Sequence, residues 1–478
     1  MNALAGIDAA ASGAAGRAGL RGETGNIAQT CPKVTLELGM FFDGTLNNRF
    51  NVLSQNKLEG SDSYQNALSN PALLHARYKN SAEFDEPNTS GGTSRAFRSV
   101  YVEGPGSTRG KEDDNSGYAF GMGRQSGVEA RVLWGFRQML RQIGLFGGAG
   151  QMKKLVLDVF GFSRGAAAAR YFVNCVRAGE IRYDPYGPGD YTEKLPKSLK
   201  VEIRFLGIFD TVAAIGDPAD DDNDPVNVHL NTAQVTGQIY HLTAGDEYRR
   251  NFRLNRNVPG GGSTLQLPGA HSDVGGGYRD PGDSAKMSGV RRRFFGTRAA
   301  AEEARQAALR RDREPGAYAK EERVYVNEGW LEAHDTEGGF RRTISPVTKT
   351  ITPGSPMMPP RTVYAYDEQL YLERPWVEVG LSRIALHMMH EAASKHVNGA
   401  LKALPANDPN YVIPDGLKRY EAAIRAGSLS GAARRAVLRK YGHVSAKDSS
   451  VTDTDWIGHM AESDHIRVEY PNKPGKAR

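Results

Sequence analysis

The chain has 478 residues, 39% of them hydrophobic and 24% charged, with a formal net charge of +6. This is an ordinary globular composition, long enough for one large domain with insertions or for two to three smaller ones. Cys31 and Cys175 are too few for a disulfide framework or a zinc site, no window holds the ~18 apolar residues of a membrane span, and the mild positive charge suits an anionic surface without pointing to nucleic acid.

The first 30 residues are rich in Ala and Gly, lack a compact apolar stretch and are interrupted by Asp8, Arg17 and Arg21, so they read as flexible and without a secretory signal. Order is expected to begin at VTLELGMFF (34–42), a strand ending in the turn Asp43-Gly44-Thr45. Residues 50–125 carry dispersed Gly, Pro, Asn and Ser around short strand pieces such as RSVYVEG, and read as loops. SGVEARVLWGFRQMLRQI (126–143) sets Val128, Val132, Leu133, Phe136, Met139, Leu140 and Ile143 largely on one helical face. KKLVLDVF follows as a buried strand and AAAARYFVNCV as a helix.

KVEIRFLGIFD predicts the next strand, DPADDDNDP an acidic loop, GDEYRRNFRLNRN a short helix and connector, and STLQLPGAHSDVGGGY a strand and a Gly-rich turn. Strands alternating with helices predict an α/β fold with a mostly parallel sheet flanked by helices. Residues 286–365 change character. RRRFFGTRAAAEEARQAALRRDREPG reads as a basic, polar helix and ISPVTKTITPGSPMMPP as loop, which predicts a helical insertion or cap. Helical spacing returns from about residue 370, in VEVGLSRIALHMMHEAASKH and GAARRAVLRKYGHV. The expected organisation is a flexible 1–30, an α/β core over 31–285, an insertion or cap over 286–365 and a helical C-terminal region over 366–478 that packs on the core.

The segment VFGFSRGAAAAR carries the chemistry. A bare Gly-x-Ser-x-Gly is weak evidence in a chain with 55 glycines. Here a strand precedes it and a helix follows, with Gly161 and Gly165 flanking Ser163, so the bend can close without Cβ clashes. This is the strand–turn–helix elbow of α/β-hydrolases, which lifts a nucleophilic serine out of a sharp bend. Attack on an ester also needs a base, an acid that orients it and an oxyanion hole. Asp210 ends an apolar strand, where parallel sheets gather their catalytic groups, and His271 sits on a Gly-flanked turn after STLQL. The order Ser163, Asp210, His271 is the one this fold uses. Asp217 and Asp273 stand as alternative acids. The oxyanion hole is expected from the backbone N–H of Arg164, with Gly44 and Asp43 supplying the second donor.

Other features carry less. His387 and His390 stand at i and i+3 on a helix without a supporting carboxylate motif. Asp220-x-Asp222-x-Asp224 begins like a calcium loop, but Pro225 stands where that loop wants Gly and Asn231 where it wants Glu, so a solvated loop is expected. RRRFFGTR reads either as a surface that docks on phospholipid or as a basic patch beside core phenylalanines. No metal or cofactor is expected.

Three segments together, FFDGTLNN (41–48), GFSRGAAAAR (161–170) and GAHSDVGGGY (269–278), resemble the α/β-hydrolase domain of type VI secretion phospholipase effectors of the first lipase-effector (Tle) class. FLGIFDTV is similar to that family's acid-bearing strand, and the later YGHVS and RVEYPN to its closing segments. The resemblance implies a Ser163–Asp210–His271 triad and a phospholipase A that hydrolyses acyl esters of membrane glycerophospholipids. It implies synthesis in a bacterial cytoplasm without a signal peptide, delivery on a spike protein of the type VI machine, action at the periplasm or membrane of a target cell, and a cognate immunity protein in the producer. Two further readings stand beside it: a soluble serine esterase for small or carbohydrate-linked esters, and an inactive hydrolase fold used as a binding module of a secretion apparatus.

Overall fold

The computed structural model describes residues 34–81, 95–114, 125–185, 190–215, 228–232, 235, 237–279, 281–287, 290–333, 335, 337–352, 354, 359–446 and 460–472. Strand β1 (Val34–Phe42) leads into three short helices, α1 (Arg49–Val52), α2 (Asp62–Gln65) and α3 (Asn70–Arg77). Then come β2 (Arg95–Val102), α4 (Val128–Leu145), β3 (Met152–Phe162) and α5 (Arg164–Ala178). A hairpin, β4 (Glu180–Tyr183) and β5 (Tyr191–Lys194), precedes β6 (Val201–Phe209), β7 (Gln238–Ala244), β8 (Leu254–Asn255), β9 (Ser263–Leu267) and a one-turn helix α6 (His271–Gly275).

Six of these strands form one sheet in the order β2-β1-β3-β6-β7-β9, and every neighbouring pair is parallel. Such a sheet is covered on both faces, so its strands read as unbroken apolar runs rather than alternations. On one face Val132, Phe136 and Met139 of α4 and Phe172 and Val176 of α5 pack with Leu36, Leu157 and Ile208. On the other, Leu73 and Leu74 of α3 meet Phe41, Phe160 and Phe205. The chain passes from β1 to β2 on one side and then to β3 on the other. The strand order thus reverses between β1 and β3, the switch point at whose carboxyl ends open α/β sheets form their ligand crevice.

A buried charged ladder crosses three strands. Arg204 on β6 donates to Asp158 Oδ1 on β3 at 2.9 Å and to Glu37 Oε2 on β1 at 2.7 Å, while the Tyr78 hydroxyl donates to Asp158 Oδ2 at 2.7 Å. Asp158 and Glu37 are buried, so their charges must be paired; Glu37 also accepts from Arg95 Nε at 2.6 Å.

The predicted insertion holds two helices, α7 (Arg298–Asp312) and α8 (Ala319–Glu328), and also a five-stranded sheet that the sequence reading missed. Its strands are β10 (Asp283–Lys286), β11 (Arg291–Phe295), β12 (Gly339–Ile344), β13 (Thr348–Thr352) and β14 (Arg361–Arg374), with β14 pairing antiparallel to the other four. RRRFF is therefore strand, not helix. The Thr297 hydroxyl accepts from the Ala300 amide at 3.2 Å and caps α7, so the helix starts only after Gly296. The insertion runs from 283 to 374, wider than the expected 286–365, because β10 and β14 close it: the Gly282 amide donates to the Val377 carbonyl at 2.6 Å.

The C-terminal region contributes α9 (Leu381–Ser394) and α11 (Gly431–Tyr441), where helical spacing predicts them, α10 (Asp415–Arg425), which the sequence reading does not anticipate, and an extended stretch with β15 (Glu469–Tyr470) parallel to β8. Helix α9 lays Ile384, Leu386 and Met389 on the face already occupied by α3. The expected flexible N-terminus, Cys31, Asp217 and the acidic run Asp220–Asp224 lie outside the described residues. Among the described residues, no helix is long and apolar enough to cross a membrane.

Candidate active site

Ser163 lies between the end of β3 and the first residue of α5, at φ 59° and ψ −131°. An L-residue there is strained by about 1–3 kcal/mol, and such strain clusters at functional sites. The flanking glycines explain how the bend closes. A Cβ on Gly161 would lie 2.5 Å from the Gly165 carbonyl oxygen, and one on Gly165 would lie 2.1 Å from that of Asp43. The elbow is thus pressed directly on the turn that follows β1. Asp210, one residue past β6, is a second non-glycine at positive φ, 42°. His271 opens α6 after β9. All three residues gather at the carboxyl edge of the sheet.

Asp210 and His271 meet: imidazole Nδ1 and carboxylate Oδ2 are 2.5 Å apart. Asp210 Oδ1 accepts from the Ala244 amide at 2.9 Å. Burial by itself pushes the Asp210 carboxyl up, but the Arg467 charge and the His271 hydrogen bond outweigh it and hold the group well below the usual carboxylate range. For His271, burial dominates the opposing pull of Asp210 and lowers its pKa, so the ring is neutral at neutral pH, as a general base must be. Its ring lies between Phe162, at 4.6 Å, and the edge of Phe252, at 4.9 Å. Its Nε2 is buried with no hydrogen-bond partner among the described residues. Ser163 and His271 are each 4% exposed, and no hydrogen bond joins them.

The oxyanion candidates divide. The Arg164 amide stands at the start of α5, and the Arg164 side chain is occupied, donating from Nε to Thr45 Oγ1 at 2.7 Å. The Gly44 amide donates to Asp43 Oδ1 at 2.8 Å, so it is already committed in this state. Asp43 itself is buried, accepts from the Tyr101 hydroxyl at 2.5 Å, and is pushed up to about 6 by that burial. Its role here is to shape the turn, and its carbonyl is the atom against which Gly165 rests.

Of the alternative acids, Asp273 is engaged elsewhere. It holds His443 Nδ1 at 2.7 Å and the His443 amide at 2.9 Å, with Tyr278 stacked on that imidazole. His387 Nε2 and His390 Nε2 each pair with a backbone carbonyl, of Tyr411 and Lys402, and so tie α9 to neighbouring loops.

Two residues of this site escaped the sequence reading. Glu247 is buried, holds Arg249 through both carboxylate oxygens, and accepts from the His271 amide at 3.2 Å. Arg467 donates to both oxygens of Asp210. Glu247 lies in a connector with no periodic pattern. Arg467 opens RVEYPN, a segment singled out only for its resemblance.

Residues 189–295 match the family described as T6SS, phospholipase effector Tle1-like, catalytic domain. The resemblance to the Tle1-like effectors holds. The matched span contains Asp210 and His271, and Ser163 precedes it. A solved structure of the Tle1 effector bound to the VgrG spike from the Type 6 secretion system aligns over 92% of this chain and 94% of its own, at 24% identity and a TM-score of 0.58. The fold is therefore shared with Tle1. An uncharacterized protein from Pseudomonas aeruginosa aligns over 52% of this chain and 42% of its own, at 22% identity and a TM-score of 0.33. No curated protein matches. Over residues 189–295 the chain is similar to the Tle1-like catalytic domain, and its fold is that of Tle1.

Proposed function

We propose that the protein is a serine phospholipase A delivered by a type VI secretion apparatus. The observation that carries this reading is the buried Asp210–His271 pair at 2.5 Å beside a serine held at positive φ on a strand–turn–helix elbow. Ser163 Oγ attacks the acyl carbonyl of a glycerophospholipid while His271 Nε2 takes its proton. Asp210 stabilises the imidazolium, and the Arg164 amide donates to the developing oxyanion. Collapse of the tetrahedral intermediate expels the lysophospholipid alkoxide, which receives the proton from His271. Water, activated by the same imidazole, then releases the fatty acid and restores Ser163.

The insertion supports action at a lipid surface. It exposes Phe294 and Ile351, 56% and 66% accessible. Two of the cations beside Phe294 are not free to meet headgroups, because Arg292 and Arg293 pair with Asp367 and Glu368. Docking would rest mainly on ring and aliphatic insertion. The likeness to Tle1, solved on its VgrG spike, supports a spike protein as carrier; an immunity protein in the producer and a site of action at the target-cell envelope belong to the same reading.

The test is fatty-acid release from phosphatidylethanolamine and phosphatidylglycerol vesicles by wild type and Ser163→Ala. Release that vanishes in the folded variant is expected. Equal release by both proteins refutes Ser163 as nucleophile, and Ser163-dependent cleavage confined to short soluble esters replaces the phospholipase with an esterase.

A further inference from the structure

Residues 460–472 run along 248–258 as a strap. The Arg250 amide donates to the Met460 carbonyl and the Leu254 amide to that of Val468, at 2.8 and 3.0 Å. Glu462 pairs with Arg253 at 3.1 Å, and the Asn472 amide reaches the Val258 carbonyl at 3.0 Å. Between these anchors Arg467 turns inward, its side chain 6% exposed. Nη1 donates to Asp210 Oδ1 at 2.6 Å and Nη2 to Oδ2 at 2.9 Å, a two-pronged grip. Nε donates to the Phe252 carbonyl at 2.8 Å, and Phe252 is the residue whose ring edge packs on His271.

Each oxygen of Asp210 therefore accepts two hydrogen bonds. Oδ1 takes those of Ala244 and Arg467, and Oδ2 those of His271 and Arg467. A carboxylate has about four such positions, so this one is saturated and cannot rotate away from the imidazole. We propose that Arg467 is a positioning residue for the hydrolysis, supplied from 257 residues further along the chain, which fixes Asp210 against His271 and offsets its charge so that His271 stays neutral until it accepts the serine proton. The inference rests on the serine-hydrolase reading and adds a positioning residue behind its triad. The charged groups around His271 are Asp210, Glu247, Arg249 and, behind Asp210, Arg467. Removing Arg467 takes away one of the two cations and leaves Asp210, Glu247 and Arg249 around the ring, a balance that favours imidazolium more than the wild type's.

The experiment is the rate of fluorophosphonate labelling of Ser163 as a function of pH, on the full-length chain. Wild type, Arg467→Gln, Arg467→Lys and Arg467→Ala are compared, with folding checked by near-UV circular dichroism. In Arg467→Gln the rate is expected to fall by up to about a hundredfold, as for a displaced catalytic group, and the acid limb of the profile to move up by about one pH unit. Arg467→Lys keeps the charge but not the fork, so it loses rate while its acid limb stays in place. Added guanidinium ion should restore part of the rate of Arg467→Ala and none of wild type's. A purely structural role would lower the rate with neither the shift nor the rescue, and that result overturns the inference. So does labelling of Arg467→Gln at the wild-type rate. Where the Gln variant does not fold, the Lys variant decides: slower labelling on an unmoved acid limb supports the inference, and any other result refutes it. A wild-type protein that does not label at Ser163 refutes the hydrolase reading itself, and this inference with it.

Discussion

Gly165→Ala adds a single methyl group where the elbow meets β1. Its carbon would sit 2.1 Å from the Asp43 carbonyl oxygen and 2.6 Å from both the Asp43 carbonyl carbon and the Phe42 oxygen. All three are backbone atoms at the end of a buried strand, so no side chain can swing aside. Contacts below 3.0 Å force something to move, and here α5 and β1 must part by about 1 Å. Overpacking of this kind costs about 1–3 kcal/mol. It also moves Ser163 relative to His271 by a similar distance, for which a loss on the order of a hundredfold in rate is expected. Gly144→Ala is the matched control. Gly144 lies in the last turns of α4, exposed, with nothing within 4 Å of an added Cβ, so the same methyl group should stabilise the helix by about 0.5–1 kcal/mol. Urea unfolding gives the stabilities, and fluorophosphonate labelling gives the rates. A Gly165→Ala protein as stable and as fast as wild type would refute the claim that the elbow is clamped on the turn after β1.

Asp210→Asn should lower the labelling rate by about 10⁴-fold, the loss such a change produces in Ser-His-Asp hydrolases; a loss under tenfold would remove Asp210 from the acid's role. Arg204→Met leaves Asp158 and Glu37 buried without their shared cation and should destabilise the fold by about 3–5 kcal/mol in urea titrations, with stability unchanged as the refuting result. Burial alone would raise the pKa of Glu247, but Arg249 outweighs it and brings the group from 4.5 down to about 2. A depressed carboxylate contributes its stability fully above its unfolded value and loses it as pH falls through the folded one. On the order of 3 kcal/mol should therefore disappear between about pH 4.5 and 2, and Glu247→Gln should flatten that part of the stability profile.

Much of the sheet and of the site is legible in the sequence because local signals and global fold agree there. LVLDVF and FLGIFD are apolar runs of strand length; the first stops three residues short of Ser163, and the second ends at Asp210. The amphipathic spacing of 126–143 marks α4 to within two residues at either end. The insertion was misread for a physical reason. Its strands pair only through β14, far along the chain, and both faces of this small sheet carry polar residues, so RRRFF and TKTIT show no clean alternation. Helix α3, NPALLHAR, was read as loop because two turns are too short for helical periodicity to show. Arg467 could not be read at all: an arginine in an extended stretch becomes informative only when the fold sets its head group on Asp210.

The hydrogen bond between Gly282 and Val377 means that the chain leaves the sheet-bearing core and returns to it at one point. The 283–374 excursion packs Tyr325, Leu331, Phe340 and Leu372 together, and Leu438 and Val444 of the C-terminal region complete that interior. A unit joined at adjacent ends behaves as a cassette. It puts no strand into the six-stranded sheet, so the register of β1, β3, β6 and β9 does not depend on it; but Glu328 pairs with His465 on the strap that carries Arg467, so its loss would reach Asp210 through that strap.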